Sequence, residues 1–494
     1  MAFSPVLTKT DYNRYLQCPK LLWLSKNRKD LIPPVDEPQQ AMFDQGYEVE
    51  EYAHKLFAET ATVKEWYARG RAETKNYIAE GQKTILQANA LTKDLYCKAD
   101  ILHLNPDTNK WDLYEVKSTT QVKEEHIPDL AFQKIAFTND GIPIDKTYLI
   151  HINNQYVKKG EIDPKELLII EDLTDQVEDL RQITETQIPK ALEIIKPTNK
   201  QEVQIQIGKQ CSNPYECPFK EYCWKGLPEY SIYDIKRLTE DQLKQLQDLK
   251  ITDIKDVPDD FPLSENQQNQ VTAAKTGEDT INKDAIKKEL ENLKYPLYFL
   301  DYETYMSAIP LFDGTRPYQQ IVFQYSLHVI KNKGERCEHY EYLHTGKDLP
   351  TEKLLSTLQQ QIGDTGSVIV WNKSFEMSRN EEMAQMNPKY AELMSSVNSR
   401  VFDLMEIFKD QYYVSPGFKG SYSIKKVLPV LVPGLSYSSL EDVQEGGIAS
   451  LYWFKHVYSD SADKEKIAAS LLEYCKMDTL AMVEVLRVLD SINH

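Results

Sequence analysis

The chain has 494 residues, 41% of them apolar and 10% aromatic, which excludes a disordered polymer and predicts two to four domains. Asp and Glu outnumber Lys and Arg by 76 to 58, a formal charge of -18, so phosphate binding, if present, must rest on local basic stretches. No apolar run approaches the length of about 18 residues that a membrane span needs. The opening MAFSPVLTKTDY lacks the basic and apolar regions of a secretory leader, so the expected location is cytoplasmic.

Residues 1–228 alternate helical patterns (41–57 and 175–195) with strand-like runs, DLYCKADILHL, WDLYEVKST and KTYLIHI, an α/β mixture. Residues 229–293 are charged and helix-rich and read as a spacer. Within them LTEDQLKQLQDLKITDIKDV has the leucine spacing of two short helices around a turn, loosely similar to a helix-hairpin-helix. Residues 294–494 are α/β again, from YFLDYET through IVFQYSLHVI and GSVIVWN to an amphipathic helix at 463–489.

Asp100 ends one apolar strand, and Glu115 and Lys117 stand at i and i+2 in the next, hence on one face of it. The turn signal NPDTNK between the strands predicts a hairpin that brings Asp100 to that face. Two carboxylates suit a divalent cation, and an adjacent lysine suits a water or a developing phosphate charge. The seven cysteines, in a chain expected in a reducing compartment, point to metal rather than disulfides. Cys18 stands alone, and Cys211, Cys217 and Cys223 are grouped at intervals of six; four thiolates suit an iron-sulfur cluster or zinc. Cys97, Cys337 and Cys475 read as small core hydrophobes.

These features resemble the RecB-like PD-(D/E)XK nucleases clamped by a 4Fe-4S cluster, among them AddB-type helicase-nucleases and the small exonucleases of CRISPR adaptation. The resemblance rests on CP-x-x-x-W at 18–23, Asp100, Glu115-Val-Lys117, the glutamine of FQKIAF and the cysteine trio ending CPF-x-x-x-C-W. It implies Asp100 and Glu115 as Mg2+ or Mn2+ ligands, Lys117 as the group assisting the attacking water, and Gln133 as a support or DNA contact. His54 would match the family's metal-binding histidine, and Cys18, Cys211, Cys217 and Cys223 would hold the cluster, with zinc as the alternative. Phe137 stands where the family usually carries tyrosine, and the trio departs from the common C-x2-C-x5-C.

Farther on, Asp301 and Glu303 at i and i+2 share one side of a strand. Glu376 follows in WNKSFEMSRN, and Tyr474 and Asp478 lie at i and i+4 of EYCKMDTLAMVEVL. Gathered carboxylates repel one another and need cations, a requirement that two-metal phosphodiester hydrolysis explains. The order resembles DEDD exonucleases of the ribonuclease H-like fold, in the subclass with a tyrosine in the third motif. That resemblance implies a 3'-5' exonuclease domain over 294–494, with Asp301, Glu303, Glu376 and Asp478 as metal ligands and Tyr474 orienting water. The second motif normally ends in aspartate, so Asp403 is the reserve for Glu376. GTRPYQQIVFQYSLH also resembles an uncharacterised bacterial family in which the two domains are fused in this order.

Two acid-poor stretches suit a single strand of nucleic acid. One holds Lys419, Lys425 and Lys426 beside Tyr412, Tyr413, Phe418 and Tyr422; the other holds Arg14, Lys20, Lys26, Arg28 and Lys29. The expectation is a two-site metal-dependent nuclease, DNA favoured and RNA compatible, serving genome maintenance or defence against mobile elements. The competing class is a nucleic-acid-binding or adaptor protein with one or both sites decayed.

Overall fold

The computed structural model describes residues 5–492. The chain divides into two compact units: residues 1–225 with Ser307–Tyr318, and residues 226–306 with 319–494. Both mix helices and sheets, as the alternating patterns predict.

The first unit is built on a sheet of β2 (Thr60–Thr62), β3 (Thr84–Leu91), β4 (Leu95–Asn105), β5 (Lys110–Lys117), β6 (Ile144–Ile152) and β7 (Leu168–Asp172) in that order, while β1 (Leu7–Thr8) pairs with β4. The β4–β5 hairpin is antiparallel, and β5 to β6 is parallel, joined through helix His126–Asn139. Helices Lys9–Gln17, His126–Asn139 and Thr174–Ile195 share a core with Leu7, Ile85, Leu113, Phe132 and Phe137. Thr8 starts the first of these helices with a capping box: its hydroxyl accepts from Asp11 N–H, and the Asp11 carboxylate accepts from Thr8 N–H.

A second apolar cluster gathers Val49, Ala53, Ile101, Ile150, Ala308 and Ile309. The last two come from the Ser307–Tyr318 segment, whose Gly314 and Thr315 exchange backbone hydrogen bonds with Lys158 at 2.8 and 3.0 Å. Tyr318 donates its hydroxyl to the Ser118 carbonyl. These contacts make the segment part of the first unit although the chain reaches it only after residue 306.

In the second unit, the stretch expected to form two short helices around a turn contains one helix, Glu240–Asp248, and a 3-10 turn, Ile254–Asp256. Asp253 is the reason: it bridges to Ser231 and caps the 3-10 turn through its own carboxylate. With helix Glu265–Thr276 this region closes a small core of Ile232, Leu246, Ile254 and Val271.

The chain continues through β8 (Thr280–Ile281), β9 (Leu297–Tyr305), β10 (Ile321–Ile330), β11 (Glu338–Leu343), β12 (Ser367–Val370), β13 (Val401–Asp403) and β14 (Tyr413–Val414). Five of these form a sheet in the order β11-β10-β9-β12-β13. β10 pairs antiparallel with both β9 and β11, β12 pairs parallel with β9, and β13 parallel with β12. Every residue of β10 is buried, and helix Lys464–Ile492 packs on β9 and β10. Among the described residues no helix is long and apolar enough to cross a membrane.

Candidate functional site

In the first unit the β4–β5 ladder runs to Ile101↔Tyr114, so Asp100 falls just beyond it beside Glu115. Its Oδ2 accepts the Val116 N–H at 2.7 Å. Glu115 is buried and accepts from Lys117 Nζ at 2.6 Å, Lys9 Nζ at 2.8 Å and Gln133 Nε2 at 2.7 Å. Helix His126–Asn139 supplies both Gln133 and, four residues earlier, Asp129, which takes Lys117 Nζ at 3.0 Å. Asp100, Glu115, Lys117 and Gln133, named from the sequence, therefore converge.

Burial raises the Asp100 carboxyl to about 8, reinforced by the charge of Glu115. At Glu115 burial pulls upward, yet Lys117 and Lys9 overcome it and hold the group below the usual carboxylate range. Lys117 is raised: burial opposes its charge, and Asp129 and Glu115 outweigh burial. An orphaned Asp129 Oδ1 and an orphaned Gln133 Oε1 line the same place, polar atoms of the kind a bound cation and its water would satisfy.

Lys9 and Asp129 escaped the sequence reading. Lys9 arrives through the two-residue β1, whose register Leu7↔Leu95 and Thr8↔Tyr96 lays the start of the chain along β4. His54 faces Glu50, with Nε2 3.3 Å from Glu50 Oε1, and of the two it is Glu50 whose charge bears on Asp100. Phe137 is fully buried in the core, so a tyrosine hydroxyl there would have no water to meet.

The four expected cluster cysteines come near one another. Burial raises Cys217 to about 11, with neighbouring Cys211, Cys223 and Cys18 adding to it. Cys18 and Cys223 are likewise raised, by burial first and by neighbouring thiols. Gln17 Nε2 ties the Cys18 turn to the trio's loop through the carbonyls of Gln210 at 2.9 Å and Tyr215 at 2.6 Å. Among the described residues, three ligand atoms come within 4.8 Å of one another only at Asp301, Glu303 and Cys475.

That trio belongs to the second unit. β9 presents Asp301 and Glu303 in register with Ser326 and Gln324 of β10; helix Lys373–Met386 brings Glu376, and helix Lys464–Ile492 brings Tyr474 and Asp478. Burial raises Asp301, Glu303 and Glu376 well above the carboxylate range, and their mutual repulsion adds to it. Asp478 is raised by burial to about 6, moderated by the Tyr437 and Tyr474 hydroxyls and by Lys425. Glu376 Oε2 is buried without a hydrogen-bond partner.

Glu376, not Asp403, is thus the acid that joins the others. Asp403 spends its oxygens on the Lys373 N–H at 3.0 Å and the Met405 N–H at 3.1 Å. Cys475, expected to be a core hydrophobe, sits with Sγ 3.7 Å from Asp301 Oδ2. Two further residues went unassigned to this site in the sequence reading. Tyr437 donates to Asp478 Oδ1 at 2.5 Å. Lys425 stands 5.2 and 5.1 Å from the ring centroids of Tyr437 and Tyr474 and donates to the Gln444 carbonyl at 2.6 Å.

Several basic side chains of the two stretches lie against partners of their own. Lys425 stands over the Tyr437 and Tyr474 rings, and Lys419 is paired with Glu229 at 2.5 Å. In the other stretch Lys20 pairs with Glu202 at 2.7 Å, Lys26 with Asp11 at 2.6 Å, and Arg28 with Asp30 at 2.8 Å.

Residues 298–423 match a domain of unknown function, DUF2779, an interval that holds Asp301, Glu303 and Glu376 and stops before Tyr474 and Asp478. An uncharacterised protein of Mycoplasma pneumoniae is 30% identical over 220 residues, covering 40% of this chain and 33% of the relative. A Mycoplasma genitalium counterpart is 29% identical over 220 residues (40% and 32%), and one from Ureaplasma parvum 31% over 218 residues (39% and 31%); both are also named uncharacterised. The chain spans about a third of the length of the curated relatives it matches.

Proposed function

We propose that this chain is a divalent-metal-dependent nuclease with two hydrolytic centres, a RecB-like PD-(D/E)XK unit and a DEDD-type ribonuclease H-like unit of 3'-5' exonuclease character. The observation that carries the reading is the convergence of Asp301, Glu303, Glu376 and Asp478, four carboxylates from three elements raised by burial, opposed by Lys425 at Asp301, Glu303 and Asp478 and by Arg379 at Glu376. Such an arrangement is unfavourable without cations and fits two of them. The strand order β11-β10-β9-β12-β13 with its antiparallel and parallel halves supports the ribonuclease H-like assignment. The β3-β4-β5, helix, β6 core carrying Asp100, Glu115, Lys117 and Gln133 supports the other.

Mg2+ or Mn2+ would supply water activation and neutralise phosphate charge at both centres. In the second unit Tyr437 and Tyr474 orient Asp478, and Lys425 offers a positive charge toward an incoming phosphate. In the first, Lys117 bridges Glu115 and Asp129 and is placed to hold a water. Cys18, Cys211, Cys217 and Cys223 would hold a 4Fe-4S cluster, with zinc as the alternative. Closing the chain between Cys18 and Cys211, about 190 residues, restricts the unfolded state by roughly 5 kcal/mol in the chain-entropy treatment.

The test is cleavage of end-labelled single-stranded DNA, duplex DNA and RNA with Mn2+ or Mg2+, using the unaltered chain, Asp100→Ala and Asp301→Ala. Cleavage lost in part by each substitution and wholly by both supports two centres, with single-stranded DNA the favoured substrate. Intact substrates with either metal, together with oligonucleotide binding unchanged in all variants, would instead establish the binding or adaptor class.

A further inference from the structure

The first-unit centre contains a cation that the fold has supplied from its own chain. Lys9 Nζ lies 2.8 and 3.1 Å from the two oxygens of Glu115 and 3.8 Å from Asp129 Oδ1. That oxygen is buried and has no hydrogen bond of its own. Lys117 lies on the same pair of acids, 2.6 Å from Glu115 Oε1 and 3.0 Å from Asp129 Oδ2. Asp100, the third acid, has neither lysine in contact; its Oδ2 takes only the Val116 N–H.

Three carboxylates therefore meet two ammonium groups, and the two are not equivalent. Lys117 is carried by β5 itself. Lys9 comes from outside the strand, its backbone held beside β4 by β1 and by the Thr8 cap at its own helix start. A metal ion shared between Glu115 and Asp129 would have to take the position the Lys9 ammonium holds, and like charges at such range repel by several kcal/mol at an effective dielectric of about 20.

Resting on the nuclease reading of this centre, we infer that Lys9 stands in for a second divalent cation, so that the first-unit site takes one metal ion, between Asp100 and Glu115, and Lys9 is a positioning residue for Glu115. One metal plus a tethered ammonium gives the site a fixed charge on the Asp129 side at any metal concentration. The Asp100 side alone responds to metal supply.

The test counts Mn2+ by calorimetry and electron paramagnetic resonance in a chain whose second-unit ligands are removed by Asp301→Asn with Glu303→Gln. One tight Mn2+ is expected in that background, two after adding Lys9→Met, and one again with Lys9→Arg. Two ions with Lys9 intact, or one ion in all three proteins, overturns the inference and leaves the nuclease reading in place. No tight Mn2+ in any of them overturns the reading of Asp100 and Glu115 as ligands, and the inference with it. Should Lys9→Met fail to fold, anomalous scattering from Mn2+-soaked crystals of the unaltered chain decides. A single peak between Asp100 and Glu115 upholds the proposal, and a second between Glu115 and Asp129 sinks it.

Discussion

Replacing Glu303 by glutamine should make the metal-free protein more stable, an unusual outcome for a buried residue. The ligand atoms of Asp301, Glu303 and Cys475 lie within 4.8 Å of one another. Two full negative charges at that distance repel by about 3.5 kcal/mol at an effective dielectric of 20. The fold evades part of this by holding protons: burial first, and then the charges of Asp301 and Asp478, raise Glu303 well above the carboxylate range.

Glutamine keeps the shape of Glu303 and removes its charge, so a gain of roughly 2 kcal/mol is expected, or a melting temperature about 4–8 °C higher for a unit of this size. The sign of the pH dependence follows. Glu303 and Asp478 have folded values above their unfolded ones, so the folded chain holds the extra protons from about pH 4 to pH 6 and beyond. Metal-free stability therefore falls as pH rises through that window, and the advantage of the variant is larger at pH 8 than at pH 5.

With Mn2+ the order reverses. A ligand at a hundred times its dissociation constant stabilises by about 2.7 kcal/mol, and the variant forfeits most of that. Scanning calorimetry in EDTA and in Mn2+ measures both. A variant that melts lower than the parent in EDTA, or that gains as much from Mn2+, refutes the reasoning.

Tyr437→Phe removes the 2.5 Å hydrogen bond to Asp478; a bond to a charged group is worth about 1.5–3 kcal/mol, so cleavage dependent on Asp301 should fall at least about tenfold while cleavage dependent on Asp100 is unchanged. Cys217→Ser should bleach any iron-sulfur absorbance and lower the melting of the first unit, read by visible spectroscopy and iron analysis; a parent protein purified colourless with stoichiometric zinc would refute the cluster. Burial holds His328 down to about 3, with His339 and Lys476 adding to it, and His339 down to about 4, with Lys476 adding to it. Folded values below the ordinary 6.5 mean that the unfolded chain takes up the protons first, so stability falls as pH drops from about 6.5 toward 4. His328→Gln should flatten that slope in urea titrations at stepped pH.

Period-two and period-four patterns made much of both sites legible. Asp301 and Glu303, Glu115 and Lys117, and the Tyr474–Asp478 pair are each fixed by one element, so spacing alone placed them on one face. The hairpin signal at 105–110 was enough to bring Asp100 alongside. What stayed hidden came through tertiary routes with no local signature. Lys9 depends on two residues of β1 pairing with β4, and Tyr437 and Lys425 reach the carboxylates from a short helix and loop far from every acid motif. Ion pairs within the charge stretches were hidden for a related reason: Lys20 and Lys419 look free until Glu202 and Glu229 arrive from elsewhere in the chain.

The Ser307–Tyr318 excursion has a consequence for how this protein can be divided. A cut at residue 225 leaves the first unit without Ala308, Ile309 and the Tyr318 clasp on Ser118, opening part of its apolar face to water. The second unit, freed of its neighbour, would carry a twelve-residue loop whose apolar side chains have lost their seat. A division that follows the contacts keeps Ser307–Tyr318 with the first unit.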